Sequence, residues 1–146
     1  MFIYQSNLNN TRIKNNNQRF VEQIFKNCKT EAVELNMLTP FEWEYVYLFD
    51  PYTPNKQIFK TIGLYWNGVQ QQTSSGSMQI LFVNKKKVVC YCSGRGAENG
   101  YFISADFLKG NKKLRKSDNP TFKYNATKTQ SLGYVYLEYD ENNEAN

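Results

Sequence analysis

The feature that most constrains the fold of this chain is a strict alternation of side chains over residues 43–49. Along an extended chain, one side carries Trp43, Tyr45, Tyr47 and Phe49, and the other carries Glu44, Val46 and Leu48. A period of two in aromatic and β-branched residues is typical of a β-strand. We interpret the aromatic side of this strand as part of a hydrophobic core rather than as a platform for a ligand.

Other segments have helical or hairpin patterns. Phe20, Ile24 and Cys28 recur at every fourth position and predict a helix over about 17–30. Thr53-Pro54 at one end and Gly63 at the other predict a short helix over 54–62. The remaining predicted strands cover 78–83 and 88–93, which form a hairpin with lysines at its tip, and then 121–127 and 133–139.

This order of elements favours an α+β fold, with an N-terminal helix and a short second helix packed on a mainly antiparallel sheet of about five strands. A chain of 146 residues is expected to form a single domain. Within it we expect a loose N-terminal arm over 1–16, a globular core over 17–139 and an acidic, disordered tail over 140–146. No apolar run approaches the roughly 18 residues of a membrane-spanning helix, so none is predicted.

The chain contains no histidine. This absence excludes Ser-His-Asp and Cys-His hydrolysis, zinc sites that use imidazole, and acid–base catalysis by histidine. Glu42 and Glu44 have a spacing that a pair of catalytic carboxylates can use, but polar residues are also expected on the solvated side of a strand. We therefore predict no catalytic residues, no cofactor and no metal site, and expect that the protein is not an enzyme.

The three cysteines allow two interpretations. Cys90 and Cys92 lie two residues apart on a predicted strand, where their Cα atoms are about 6.5–7 Å apart, at the edge of disulfide geometry. A disulfide would therefore join Cys28 to Cys90 or to Cys92. The alternative is three buried thiols that behave as small hydrophobic residues.

Positive charge is concentrated in one part of the chain. Residues 84–123 hold ten lysines and arginines but only three acidic residues, and the whole chain has a formal charge of +5. Such a segment can attract nucleic acid, an anionic membrane or an acidic protein, and lysines also keep exposed loops and edge strands soluble.

Arg95 lies between Gly94 and Gly96, where it can contact an anion or occupy a tight turn. Tyr52 lies at a corner between a strand and a helix, where its hydroxyl can stay exposed. The candidate binding surface consists of Lys85, Lys86, Lys87, Arg95, Lys112, Lys113, Arg115, Lys116 and Tyr52.

Residues 41–53 also resemble a known pattern. The run Trp43-Glu44-Tyr45-Val46-Tyr47-Leu48-Phe49-Asp50-Pro51-Tyr52-Thr53 is similar to the motif Trp-acid-x-x-Tyr-x-Phe-x-Pro-Tyr-Thr of small uncharacterised, lipoprotein-like bacterial envelope proteins. Ile62-Gly63 and the later segments Leu81-Phe82-Val83 and Val88-Val89 extend the similarity. The resemblance implies an exported or envelope-associated protein without an established activity; a cytoplasmic location is the alternative.

Taken together, these patterns favour a small non-enzymatic binding protein that engages a macromolecular partner, most readily another protein, at the bacterial cell envelope. One alternative is a cytosolic inhibitor or immunity-type protein that acts against a toxin. A second alternative is a nucleic-acid binder that uses the basic segment 84–123. The sequence does not specify an oligomeric state.

Overall fold

The first helix, α1 (Asn10–Asn27), carries the apolar stripe that the sequence predicts, and both Phe20 and Ile24 are fully buried. It starts seven residues before the predicted position. The expected loose arm over 1–16 is therefore wrong for residues 10–16, where Ile13 and Asn16 extend the buried face of the helix. Asparagine is a poor helix former, and packing against the protein outweighs that propensity.

The structure is a computed structural model that describes residues 3–5, 10–107 and 110–141. After α1 the chain forms β2 (Ala32–Glu34), β3 (Tyr45–Phe49), α2 (Asn55–Ile62), β4 (Leu64–Tyr65), β5 (Ser77–Asn84) and β6 (Lys87–Arg95). It continues with α3 (Gly96–Asn99), β7 (Tyr101–Ser104), β8 (Lys112–Arg115), β9 (Thr121–Tyr124), α4 (Ala126–Leu132) and β10 (Val135–Tyr139). A short β1 (Ile3–Tyr4) precedes α1, and 3₁₀ turns cover Leu35–Met37 and Lys116–Asp118.

The strands form two four-stranded sheets and one small pair. The central sheet has the order β6-β5-β3-β8 and is antiparallel throughout. The second sheet has the order β2-β9-β10-β7 and is antiparallel except where β10 pairs with β7, and β1 and β4 form a separate parallel pair. The α+β class is confirmed, and the described residues contain more strands than the one sheet of about five that we expected. No helix of the described chain has both the length and the apolar character needed to cross a membrane.

The central sheet is buried on both faces, which explains why β3 is apolar at nearly every position. Val46 and Leu48 point into one hydrophobic cluster together with Phe20 of α1, whereas Tyr47 and Phe49 point into a second cluster. The prediction that the aromatic residues of this strand belong to the core is confirmed for Tyr47 and Phe49. Trp43, which precedes the strand, is also buried but packs in the first cluster, where its indole Nε1 donates a hydrogen bond to Thr39 Oγ1 at 2.9 Å.

The predicted short helix and hairpin are both present. Helix α2 ends at Gly63, which adopts a left-handed conformation with φ of 76°. The hairpin of β5 and β6 turns through Lys85 and Lys86, whose φ angles are 48° and 61°. Two positive φ angles in a two-residue turn match the right-handed twist of the strands that it joins.

The C-terminal part differs most from expectation. The predicted strand over 121–127 ends at Tyr124, because Asn125 caps α4 by accepting a hydrogen bond from the Lys128 backbone N–H at 2.9 Å. The expected disordered tail does not begin at residue 140. Asp140 is 7% exposed, and its backbone N–H donates to the Thr121 carbonyl at 3.0 Å. Residues 142–146 of that tail lie outside the described residues.

Candidate binding surface

Strand register brings two separate basic segments to the same end of the central sheet. Tyr45 of β3 pairs with Val83 of β5 on one side and with Arg115 of β8 on the other. The hairpin tip follows Val83, and β8 lies two strand spacings from β5, about 10 Å away. We call this surface the basic end, and its cations are Lys85, Lys86, Lys87, Lys113, Arg115 and Lys116.

The cations of β8 and of the turn that follows it have polar or aromatic neighbours. Arg115 Nε lies 3.3 Å from Asp118 Oδ2, and Lys116 Nζ lies 4.0 Å from Glu42 Oε2. The Lys113 ammonium lies 4.4 Å from the centre of the Tyr45 ring, within the range of a cation–π contact. These contacts orient the cations along the surface and leave Lys113 and Arg115 exposed.

The lysines of the hairpin tip differ from the cations of β8 in their contacts. Lys85, Lys86 and Lys87 are exposed, and within the described part of the chain none of their ammonium groups forms an ion pair. The backbone N–H of Lys85 donates to Glu44 Oε1, which ties the tip to the start of β3. The basic end thus combines six cations with three neighbouring carboxylates, from Glu42, Glu44 and Asp118, and keeps a net charge of +3.

The backbone at the hairpin tip adopts a conformation that is unfavourable for lysine. A left-handed conformation costs a non-glycine residue about 1–2 kcal/mol, and Asn-Gly is the pair that such turns prefer. Lys85 and Lys86 both adopt positive φ angles. The turn therefore presents two lysine side chains at a position where other residues would be more stable.

A polar groove adjoins the basic end. It has a volume of about 660 Å³ and lies between the start of β3 and the turn after β8, with Trp43, Glu44, Arg115 and Lys116 in its walls. Asn36 closes one side, where its Nδ2 donates to Asn119 Oδ1 at 3.0 Å. Glu42 and Glu44, which the spacing alone allowed as an acid–base pair, instead bind Lys116 and the Lys85 backbone.

Three of the predicted binding residues lie elsewhere. Arg95 is exposed at the opposite end of β6, eight residues or about 26 Å from Lys87. Lys112 is half-buried on the other face of β8 and pairs with Glu141 at 2.8 Å. Tyr52 is 58% exposed near the far end of β3, as the strand-to-helix corner suggested. These residues do not belong to one surface with the basic end.

The glycines on either side of Arg95 have a packing role. Gly94 adopts a φ of 105°, and a Cβ atom on Gly96 would lie 2.5 Å from the Tyr134 ring. The Gly-Arg-Gly segment thus lies where β6 passes into α3, and Gly96 packs against an aromatic ring.

The two edges of the central sheet differ, and sequence reasoning missed this difference. Along β6, the carbonyls of Val89 and Tyr91 accept hydrogen bonds from the side-chain amides of Asn16 at 2.8 Å and Asn17 at 2.9 Å. The next outward carbonyl, Ser93, accepts from Asn99 Nδ2 at 2.9 Å. The Gln5 side chain both accepts from the Val88 N–H and donates to the Val88 carbonyl. The asparagine content of the N-terminal segment therefore has a structural use at this edge.

The cysteines are three free, buried thiols, so neither Cys28–Cys90 nor Cys28–Cys92 is bonded in the structure. Burial raises the pKa of Cys28 to about 11. Burial also raises the pKa of Cys90. At Cys92, hydrogen bonds from Cys90, Tyr101 and Asn17 outweigh burial and lower the pKa. Among the described residues, no cluster of three or more cysteine or acidic side chains is placed to hold a metal ion.

Comparisons of this chain with models of protein families, with curated proteins and with solved structures found no match. The similarity of residues 41–53 to envelope proteins therefore stays a prediction from the sequence.

Proposed function

We propose that this protein is a non-enzymatic binding protein whose basic end contacts an acidic surface of a partner protein. The observation that carries the proposal is the convergence of the hairpin tip and β8, which are about 25 residues apart in sequence, on one surface with a net charge of +3. Charge of one sign on one surface speeds encounter with a partner of the opposite sign and selects against others.

The strained turn supports the same proposal. Residues held in a left-handed conformation at the expense of stability are frequent at functional sites. Lys85 and Lys86 adopt that conformation and project unpaired ammonium groups from the described surface. Solubility alone would be served equally well by lysines at unstrained positions.

An acidic protein suits this surface better than a nucleic acid does. Single-stranded nucleic acids bind through exposed aromatic faces on which bases stack. At the basic end, Tyr45 is half-buried, with the Lys113 ammonium over its ring, and Trp43 is 2% exposed. The resemblance of residues 41–53 to envelope proteins leads us to propose that the partner is met at the bacterial envelope, which fractionation of cells expressing the natural gene would test.

The binding test uses fluorescent poly-L-glutamate as an acidic polypeptide and a single-stranded oligo-dT as the nucleic acid, with fluorescence anisotropy at low and raised salt. We expect poly-L-glutamate to bind more tightly, and the triple variant K85Q/K86Q/K87Q to weaken that binding about tenfold. The matched control is K26Q/K56Q/K60Q, which removes the same charge from exposed positions on α1 and α2 and should have a much smaller effect.

Tighter binding of oligo-dT with the same dependence on the tip lysines would overturn the proposal in favour of a nucleic acid. Equal effects of the two triple variants would overturn it as well, since binding would then follow net charge alone.

The turn provides a second test. The double variant K85N/K86G places the favoured Asn-Gly pair at the two positive φ angles, and we expect it to stabilise the fold by about 1 kcal/mol. The same variant should bind poly-L-glutamate more weakly than the unchanged protein. Thermal unfolding and anisotropy on one preparation would measure both effects. An unchanged affinity would show that the lysines of the turn have no role in binding.

A further inference from the structure

Strand β8 is an edge strand with outward-facing backbone groups. The Lys116 N–H donates to the carbonyl of Glu44, the residue that precedes β3, at 2.9 Å. Because hydrogen bonds alternate along an antiparallel strand, Leu114 and Lys112 also turn their backbone groups toward β3. Lys113 and Arg115 therefore direct their N–H and C=O groups away from the sheet.

This edge is open in the described structure. No described residue forms a backbone or side-chain hydrogen bond to the outward groups of Lys113 and Arg115. The opposite edge, β6, has three successive outward carbonyls bonded by asparagine side chains. An open edge is a template on which another strand can pair.

The side chains of β8 indicate which strand would fit. Lys113 and Arg115 point to one face and are exposed, whereas Leu114 points to the other face and is half-buried beside the first hydrophobic cluster. An added strand would place its residues directly opposite these three. Acidic residues opposite the two cations, with an apolar residue opposite Leu114, would complement the edge in both charge and hydrophobicity.

The same pattern disfavours a second copy of this chain at the edge. Pairing of two β8 strands would place Lys113 and Arg115 of one copy beside the same residues of the other. Like charges directly opposite each other on neighbouring strands are destabilising. The charges of β8 thus select an acidic strand.

We propose that β8 pairs with an extended acidic segment of the partner protein, which becomes a fifth, antiparallel strand of the central sheet. This inference rests on the proposed function, since it specifies how the acidic partner is held. In that arrangement the acidic residues of the segment lie opposite Lys113 and Arg115 and exchange backbone hydrogen bonds with them. Its apolar residues alternate with the acidic ones and turn their own N–H groups to solvent.

The probe is a short synthetic peptide in which glutamate alternates with valine, measured by anisotropy against two modified forms. N-methylation at the glutamates removes the N–H groups that would bond to β8 and retains every charge. N-methylation at the valines removes only N–H groups that would face solvent. We expect the first modification to weaken binding at least tenfold and the second to leave binding nearly unchanged.

Hydrogen exchange of single backbone amides locates the added strand. The amides of Lys113 and Arg115 should exchange at least tenfold more slowly when the peptide is bound, because their N–H groups become donors. The variant K113Q/R115Q should weaken peptide binding several-fold more than K56Q/K60Q, which neutralises two exposed lysines of α2.

Equal binding of both methylated peptides, without slowed exchange at β8, would overturn the added strand while leaving the basic end as a charged binding surface. Failure of poly-L-glutamate and all peptides to bind would overturn the proposed function as well. The amides of Lys113 and Arg115 could also exchange slowly in the free protein, and still more slowly at higher protein concentration. That result would identify a second copy of the chain as the occupant and would overturn the proposal.

Discussion

The two edges of the central sheet both have outward-facing backbone groups, but different side chains lie beside those groups. An edge strand exposes N–H and C=O groups that can pair with a foreign strand. At β6, helix α1 lies along the edge, and Asn16 and Asn17 bond to its carbonyls. At β8, no residue of the described part of the chain bonds to the outward backbone groups, and the cations Lys113 and Arg115 lie beside them. Side chains thus bond to the β6 edge, whereas the edge of β8 is the one at which we propose that an acidic strand pairs.

We therefore expect the β6 edge to affect the stability of the fold and the β8 edge to affect binding. Amide caps at β6 replace the hydrogen bonds that water would make and therefore contribute to folding. Exposed cations at β8 contribute little to folding, because surface charges are screened by water and salt. Changes at the two edges should consequently affect different measurements.

The largest effect should come from removing the packing of α1 against β5 and β7. Phe20 is fully buried, and its ring meets those of Phe82 and Tyr101 edge-on, with centroid distances of 5.4 and 6.2 Å. We expect F20A to lower the free energy of unfolding by about 3–5 kcal/mol. The control F25A, on the same helix but 48% exposed, should cost about 1 kcal/mol or less. Urea denaturation measures both, and similar losses would show that α1 is not packed through the face that carries Phe20.

A smaller effect is expected from the caps themselves. N16A and N17A should each cost about 1–2 kcal/mol, because each leaves a carbonyl of β6 without its partner. N15A is the matched control: Asn15 is exposed on the same helix turn, so it shares the gain in helix propensity but loses no cap. The β8 variant K113Q/R115Q should change stability by about 0.5 kcal/mol or less. If N15A lowered the free energy of unfolding as much as N16A does, the two edges would not differ in their contribution to stability.

A third effect concerns pH and tests burial at the C-terminal end of α1. Burial raises the pKa of Cys28 from 9.0 to about 11. The folded chain therefore keeps a proton that the unfolded chain loses, so the contribution of this thiol is complete below pH 9.0 and is lost as the pH rises toward about 11.

Urea denaturation of the protein and of C28A across this range isolates the effect, since the cavity left by alanine does not depend on pH. The stability difference between the two proteins should shrink between pH 9.0 and about 11. A difference that stays constant would show that Cys28 is accessible to water in the folded state.

Local patterns predicted several elements well. The alternation over 43–49 predicted β3, and the glycine at position 63 predicted the end of α2. The hairpin followed from two apolar runs around a short polar segment. In each case the signal is a period or a turn residue within a few positions of the element, so no distant contact is needed to read it.

Other elements were missed because their signals are weak or lie far away. Helix α4 contains threonine, serine and glutamine without an apolar stripe, and it depends on the Asn125 cap and on packing against β10. Strand β8 has a sequence of lysine, leucine and arginine that is typical of a loop, and it forms because β3 offers a partner strand. The early start of α1 depends on contacts with β6, more than 70 residues away.

The candidate binding surface was likewise predicted only in part from the sequence. Residue type alone identified the lysines and arginines of the basic segment, and composition excluded histidine chemistry. Which of those cations share a surface depended on register: Arg115 joins the hairpin tip through Tyr45, whereas Arg95 and Lys112 are directed elsewhere. Gln5, Asn16 and Asn17 could not be recognised, because an amide side chain does not reveal its partner.

The sequence by itself determined the α+β class, the strand and hairpin at the centre and the excess of positive charge, since these follow from local periodicity and composition. Tertiary structure alone decided that, among the described residues, side chains bond to one edge of the central sheet and not to the other, and that distant lysines meet at one end of it. The physical reason is that backbone hydrogen bonds at a sheet edge are satisfied, or left open, by whichever groups the fold brings beside them.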